Sequence, residues 1–420
     1  QRLALLVDLC DAERLAGRMV EARITAGEAV EEARRRGDAE ALARAVLAHG
    51  GAGFESAFVD ETMVALLEEA LDAVGPEDGL TRVRLLARLA KALHYTGEDS
   101  EREKRSRLGA EAMAMAGRLG EPRAELIALE GSHFALCQPG NLEQRLTAAR
   151  RIIELSADLD DSEYALLGRY FLIADLVELG DVDAADLAIA EYGERAAAVD
   201  SPLHRWYHRK FLAMRALLSG ELDEAEGHAH RANELGSTVE PKTATMHFAT
   251  QLFVLHMERG SLSEIEEPVR GFVAEYPAVS AWRLGLTMVL LAQDRVREAE
   301  EVYAEFTASR FRNIAEDAIW TLTITYAAFI GADGLADETA LRDLRELLLP
   351  YADRIAVSGE AIISGGPMTL ALGLVEHGLG ELDEAERNLE RAAETARRIG
   401  ATPFELRALE RLEAVREGRA

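Results

Sequence analysis

Cysteine is nearly absent: Cys10 and Cys137 are the only two in 420 residues. Neither a disulfide framework nor a cysteine-rich zinc site can be built from them, and the scarcity suits a reducing compartment, so a cytoplasmic location is expected. Lysine is almost as rare, Lys91, Lys104, Lys210 and Lys242 being the whole set. Lysine and arginine together number 47 against 75 aspartates and glutamates, a formal net charge of -28. Such a balance argues against binding nucleic acid or an anionic membrane, both of which need basic surface. No uninterrupted apolar run reaches about 18 residues, so nothing reads as a membrane span. The N-terminus lacks the basic, apolar, small-residue order of a secretory signal. Missing too are the G-x-x-x-x-G-K-[ST] phosphate loop, the G-x-S-x-G nucleophile elbow and the H-E-x-x-H zinc pair. The residues imply no catalysis, no cofactor and no metal. Alternation with period two is hard to find, which leaves little room for strands.

What is present is ordinary apolar content, 48% of the chain, arranged with helical spacing. Phe211, Met214 and Leu218 recur at three and four. The stretch Trp320 to Ala328 holds the β-branched Thr321, Thr323, Ile324 and Thr325, yet its neighbours on both sides are helical in pattern, so it is predicted as helix. The chain opens at Gln1 and not at Met, and a piece of a longer multidomain protein is expected, with residues 1-420 forming one continuous array.

Self-similarity is the dominant signal. Gly220-Glu221-Leu222-Asp223-Glu224-Ala225-Glu226 recurs as Gly380-Glu381-Leu382-Asp383-Glu384-Ala385-Glu386. Weaker copies start at Gly17, Gly140, Gly180, Gly260 and Asp294, and fainter ones near Gly53, Gly97 and Gly334. Gly140, Gly180, Gly220 and Gly260 are each 40 apart. The glycine is expected to end a first helix in the left-handed conformation. The Asp or Ser beside the apolar residue two later is expected to cap a second helix. A small residue (Ala22, Ala185, Ala225, Ala299, Ala385) lets the two helices approach, and a leucine eight before the turn (Leu9, Leu172, Leu212, Leu252, Leu286, Leu372) meets the second helix. The fold predicted is all-α, an α-solenoid of roughly ten antiparallel helix hairpins. The Gly-Gly pairs at 50–51 and 365–366 read as connectors within it.

G-x-L-x-E-A with a leucine eight earlier resembles the tetratricopeptide repeat, whose usual length is about 34 residues. The longer period resembles the helical sensor region of large signal-transduction ATPases, including maltose-regulator-like LuxR-type transcription regulators. Arg82 through Ala90, Trp206-Tyr207, Ala281-Trp282-Arg283 and Arg397 through Ala401 carry that likeness. The resemblance implies a right-handed superhelix whose concave face holds a protein or peptide partner or a small effector. It also implies an ATPase module upstream and an output domain for transcription regulation. A stand-alone scaffold for peptides or proteins is the alternative, and an all-α enzyme with a helical toroid is a third possibility.

Trp206, Trp282 and Trp320 precede their repeat turns by 14, 12 and 14 residues, so they occupy matching places near the starts of first helices. They are either core or the aromatic wall of an inner groove, with Tyr207, Arg209 and Arg283 as polar neighbours. An extended acidic peptide or an anionic effector would suit such a groove. Arg84 and Arg88 share a helical face and Arg82 does not; the cluster either holds an anion or forms ordinary ion pairs. The run Glu101 to Arg107 mixes signs and reads as a solvated helix start. His204 and His208 stand four apart, which is metal spacing, but Arg205, Arg209 and Lys210 surround them with positive charge, and packing or surface histidines are expected.

Overall fold

The computed structural model describes residues 2–15, 18–49, 59–94 and 99–418. Gly17, Gly50, Gly51, Gly53 and Gly97 lie outside them. Twenty-one α-helices are described. The first seven are α1 (Arg2–Leu15), α2 (Met19–Arg36), α3 (Ala39–His49), α4 (Glu61–Val74), α5 (Leu80–Ala92), α6 (Asp99–Leu119) and α7 (Pro122–Ala135). Then come α8 (Leu142–Asp158), α9 (Ser162–Leu179), α10 (Val182–Val199), α11 (Pro202–Ser219), α12 (Leu222–Gly236), α13 (Pro241–Glu258) and α14 (Glu266–Glu275). The last are α15 (Ser280–Ala292), α16 (Val296–Ala308), α17 (Trp320–Ile330), α18 (Glu338–Leu348), α19 (Met368–Gly378), α20 (Leu382–Arg398) and α21 (Thr402–Glu417). The chain is thus the all-α run of helix hairpins predicted, and the threonine-rich stretch is helix α17.

The hairpin turns work as the repeat implies. Gly180, Gly220, Gly260 and Gly380 have φ of 81°, 86°, 69° and 75°. At Gly220 the amide donates to Leu217 O and the next amide, Glu221 N, to Ala216 O; Gly380 and Glu381 repeat this with His377 and Glu376. That pair of bonds satisfies carbonyls the helix end would leave orphaned. At Asp294, whose φ is 59°, the amide donates to Leu291 O and the next amide, Arg295 N, to Leu290 O. Aspartate is among the few side chains that tolerate this region, which is why the turn survives without glycine. Gly140 departs from the expectation: it lies in a short 3-10 turn (Pro139–Asn141) without a positive φ. The side-chain cap is also absent where it was expected. α20 starts directly at Leu382, the capping position falls on Glu381, which makes no side-chain cap bond, and Asp383 sits inside the first turn. There it can still favour the helix's positive end.

The small residues do what close helix approach requires: Ala185, Ala225, Ala299 and Ala385 are fully buried and Ala22 is 4% exposed. Among the leucines, Leu286 and Leu372 are core, but Leu9 is 46% exposed. The mixed-sign run also departs from expectation, because Arg105 within it is completely buried and donates to His94 O at 2.7 Å.

By internal contacts the molecule divides into two compact units. The first comprises 1–172, 188–208 and 231–246; the second comprises 173–187, 209–230 and 247–420. Unit 1 has a core built around Val46, Leu67, Leu85, Leu86, Leu89 and Met115. Its helices α5 and α7 touch backbone to backbone, since a Cβ on Gly131 would stand 2.4 Å from Ala87 Cα. Unit 2 has one core around Tyr303, Phe306, Trp320, Ile324 and Leu344, and another around Leu374, Leu389, Ala396 and Phe404.

Unit 2 contains one element the sequence did not predict. Ile355–Val357 (β1) pairs antiparallel with Ser364–Pro367 (β2), with Ala356 opposite Gly366. The connector expected at Gly365-Gly366 is therefore a strand. Gly366 has a φ of 74°, and a Cβ there would fall 2.3 Å from Phe404 Cδ1 of α21, so glycine alone fits. Strands of three and four residues are too short to show alternation. Among the described residues no helix is long and apolar enough to cross a membrane.

Candidate functional site

A cavity of about 580 Å³ opens within unit 1. That is the size of a small-ligand site, which typically spans about 300–1,000 Å³. One wall is cationic: Arg44 from α3, Arg84, Arg88 and Lys91 from α5, and Arg123 from α7. Residues 84, 88 and 91 fall on one face of α5 because they are spaced by four and three. The other wall is phenolic: Tyr164 and Tyr170 from α9, Tyr192 from α10 and Tyr207 from α11. Three acidic side chains, Asp11, Glu130 and Glu163, also face the space. Cations therefore outnumber carboxylates in this cavity, in a chain whose net charge is -28.

Two side-chain relays fix the walls. Lys91 is 6% exposed and pairs with Glu130 Oε1 at 3.2 Å, while the Tyr164 hydroxyl donates to Glu130 Oε2 at 3.0 Å. Burial, and then the Glu130 charge, pushes the Tyr164 hydroxyl well above its ordinary range, so it stays a donor. Arg123 lies 5.4 Å from the Tyr164 ring centre and pairs with Asp161. On the opposite side Tyr192 and His204 Nδ1 are 2.7 Å apart, and His204 Nε2 is 3.4 Å from Glu163 Oε2. Burial, with Tyr207 and Glu163 adding to it, also holds the Tyr192 hydroxyl well above its ordinary range. The Tyr170 and Tyr207 rings meet at 4.8 Å in a tilted pair. Among the described residues Arg44 and Arg84 take part in no hydrogen bond or ion pair. Their guanidinium donors are available to an incoming anion.

The residues singled out from the sequence distribute unevenly. Arg84 and Arg88 reach the cavity, whereas Arg82 turns away to donate to Gly75 O and Glu111. Of the aromatic and arginine set, only Tyr207 lines the cavity. Trp206 is 1% exposed and tilted against Tyr207 at 4.9 Å, so its ring is core and forms no groove wall. Trp282 is 7% exposed and stacks on Phe272 at 4.5 Å; Trp320 is 3% exposed with its edge toward Tyr351. Each indole packs against neighbours of its own unit, Trp206 on Gly236 and Tyr207, Trp282 on Phe272 and Trp320 on Tyr351, and a large apolar ring at such a contact is buried by it. Arg209 and Arg283, like Trp282 and Trp320, belong to unit 2. There Arg209 approaches His228, and Arg283 donates to Pro277 O at 2.7 Å. Sequence reasoning missed Arg44, Lys91, Arg123 and the tyrosines of α9 and α10. The one available signal was Tyr164 and Tyr170 in a chain poor in aromatics, and spacing alone does not tell a lining tyrosine from a packed one.

No family model matches this chain, and no curated protein does. Among solved structures, it is similar to yeast Tom70 with a TM-score of 0.36 at 14% identity, covering 99% of this chain and 89% of that one. The Rap protein complexed with competence and sporulation factor gives 0.39 at 10% identity, covering 99% and 98%. A circular tandem repeat protein gives 0.17 at 18% identity, covering 99% and 95%. Scores of this size do not establish a shared topology.

Proposed function

We propose that the chain is a helical-repeat binding module that captures an anionic segment of a partner protein, or an anionic effector, in the cavity of unit 1. It works by binding and carries out no chemistry of its own. The observation that carries this reading is the excess of cations, two of them, Arg44 and Arg84, without a partner among the described residues, facing four tyrosines in a strongly acidic chain. Guanidinium groups bind carboxylate and phosphate through paired donors, and tyrosines give apolar area with a polar tip. The acidic remainder of the surface repels anions from other places and so sharpens selection for this one. The likeness of the repeat to the sensor arrays of signalling ATPases supports placing the module in such a protein, a LuxR-type transcription regulator. In that arrangement a Walker motif lies upstream of Gln1. A free-standing scaffold would use the same cavity.

The probe is a fluorescein-labelled octapeptide alternating glutamate with one tyrosine and small residues, read by fluorescence anisotropy beside its glutamine counterpart. The parent protein is expected to bind the acidic peptide at least tenfold more tightly, with affinity falling as salt rises. Arg44→Glu with Arg84→Glu should remove about 2 kcal/mol or more of that binding and leave the melting curve close to the parent's, because neither side chain holds a partner in the fold. Equal binding by parent and double variant refutes the reading.

A further inference from the structure

The cavity of unit 1 is lined by every second helix of the array. α1, α3, α5, α7, α9 and α11 all face it, and among the described residues only Tyr192 comes from another helix. α3 touches α5, and α5 touches α7. Packed helix axes stand about 8–10 Å apart, so the lining changes rung by rung at that interval. Arg44 is the sixth residue of α3 and Arg84 the fifth of α5, so the two hold corresponding places on adjacent rungs. They are 40 residues apart, the spacing of the repeat turns. Both are without a partner among the described residues, and both face the same space. The array thus presents two guanidinium groups side by side, about one helix spacing apart. The opposite side differs in kind. There α9 brings Tyr164 and Tyr170, and α11 brings Tyr207, but α9 also brings the carboxylate of Glu163. A ligand lying between these walls is attracted through its anions on one side and repelled through them on the other.

We propose that the occupant is a proline-rich segment of a partner protein, held as a left-handed polyproline helix with a carboxylate at every third residue. The proposal rests on the anion-binding reading of this cavity and adds the conformation and spacing of what enters it. A segment that suits both walls keeps its carboxylates on one face and uncharged surface on the other. A polyproline helix has three residues per turn and rises about 3.1 Å per residue, so residues i and i+3 share a face about 9.3 Å apart. That interval matches one helix spacing, and acids at i and i+3 therefore reach Arg44 and Arg84 together. The other regular conformations fall short. Same-face neighbours on an α-helix stand about 5–6 Å apart. Alternate residues of a strand stand about 6.6 Å apart. An uninterrupted acidic run is excluded on charge, since it would turn some of its carboxylates toward Glu163. Prolines between the acids present flat apolar faces to the tyrosine rings, and polyproline segments are received in aromatic-lined grooves with little ordering left to lose.

Fluorescence anisotropy with the full chain tests the spacing. The probes are fluorescein-labelled, proline-rich peptides of one length and composition, each with two glutamates placed at i,i+2, i,i+3 or i,i+4, beside a peptide with glutamine at i,i+3. The i,i+3 acidic peptide should bind about fivefold or more tightly than its i,i+2 and i,i+4 isomers, because each of those leaves one guanidinium without a carboxylate. Arg44→Gln and Arg84→Gln should each abolish that preference, since one guanidinium reads no spacing, and circular dichroism should show both variants folded. Exchanging the prolines for glycine keeps the acid spacing but removes the preformed helix, and should weaken binding several-fold. Acidic peptides that bind better than the glutamine peptide, but all with equal strength, overturn the polyproline register and leave the anion-binding cavity standing. Binding no tighter than that of the glutamine peptide removes both. A spacing preference that survives Arg44→Gln and Arg84→Gln, or affinity unchanged by the glycine exchange, also overturns the proposal.

Discussion

Replacing Trp206 by alanine separates a core role from a groove role most sharply. The indole is 1% exposed, and it lies so near α12 that a Cβ on Gly236 would stand 2.6 Å from its Cε2. A buried tryptophan removes about 150–250 Å² from water, a gross gain of about 4–6 kcal/mol at about 25 cal/mol per Å². Truncation also leaves a void. Its walls are helix backbone and Tyr207, which cannot collapse far, and a residual void of about 100 Å³ accounts for about 2.4 kcal/mol. Those two figures add to about 6–8 kcal/mol as an upper bound; the methyl that remains and relaxation of the neighbours bring the expected loss for Trp206→Ala to the range of about 3–5 kcal/mol usual for large aromatic truncations. Urea unfolding followed by far-ultraviolet circular dichroism would show it. With a slope of about 3 kcal/mol per M, the transition that includes unit 1 should move down by roughly 1–1.7 M. Helical-repeat chains need not melt in one step, so the shift is expected in one phase, with the other unchanged. A midpoint within about 0.3 M of the parent would show that the ring is not core and would return Trp206 to the list of groove residues.

Further outcomes follow from single contacts. Trp282→Ala and Trp320→Ala should lose stability on the same scale as Trp206→Ala, because each ring packs against a buried or half-buried aromatic neighbour, and chemical denaturation reads both. Gly131→Ala should destabilise by about 1–3 kcal/mol, since the added methyl meets Ala87 backbone at 2.4 Å and α5 and α7 must separate to admit it. An unchanged melting point would show that this helix crossing is looser than described. Gly380→Ala has open space around its Cβ but a φ of 75°, so it should cost only the left-handed strain, about 1 kcal/mol, in a thermal melt.

The repeat was legible because its parts act locally. A glycine that ends a helix needs only its own φ and the preceding turn's carbonyls, so Gly180, Gly220, Gly260 and Gly380 could be placed before any helix was seen to touch another. The buried alanines follow from the same local frame, since a fixed distance from the turn sets the contact face. Residues serving a long-range contact were not legible. Arg44, Arg84, Lys91, Arg123 and Tyr192 lie up to 148 positions apart, and only the packing of successive helices gathers them round one cavity. The sequence offered two fates for the tryptophans, and burial decided between them, because matching positions fix the place along a helix but not what covers the ring. The 355–367 hairpin shows the limit most plainly. Its glycines read as a connector, and they became a strand because Phe404, some forty residues later, packs where any side chain on Gly366 would have to stand. Likewise nothing near Lys210 in sequence marks it as buried; it is enclosed by Glu360, 150 residues away, and by the tertiary contact that brings that loop to α11. Local chemistry determined the helices, their ends and their repeat, while charge and cavity depended on contacts between residues with no periodic relation to one another.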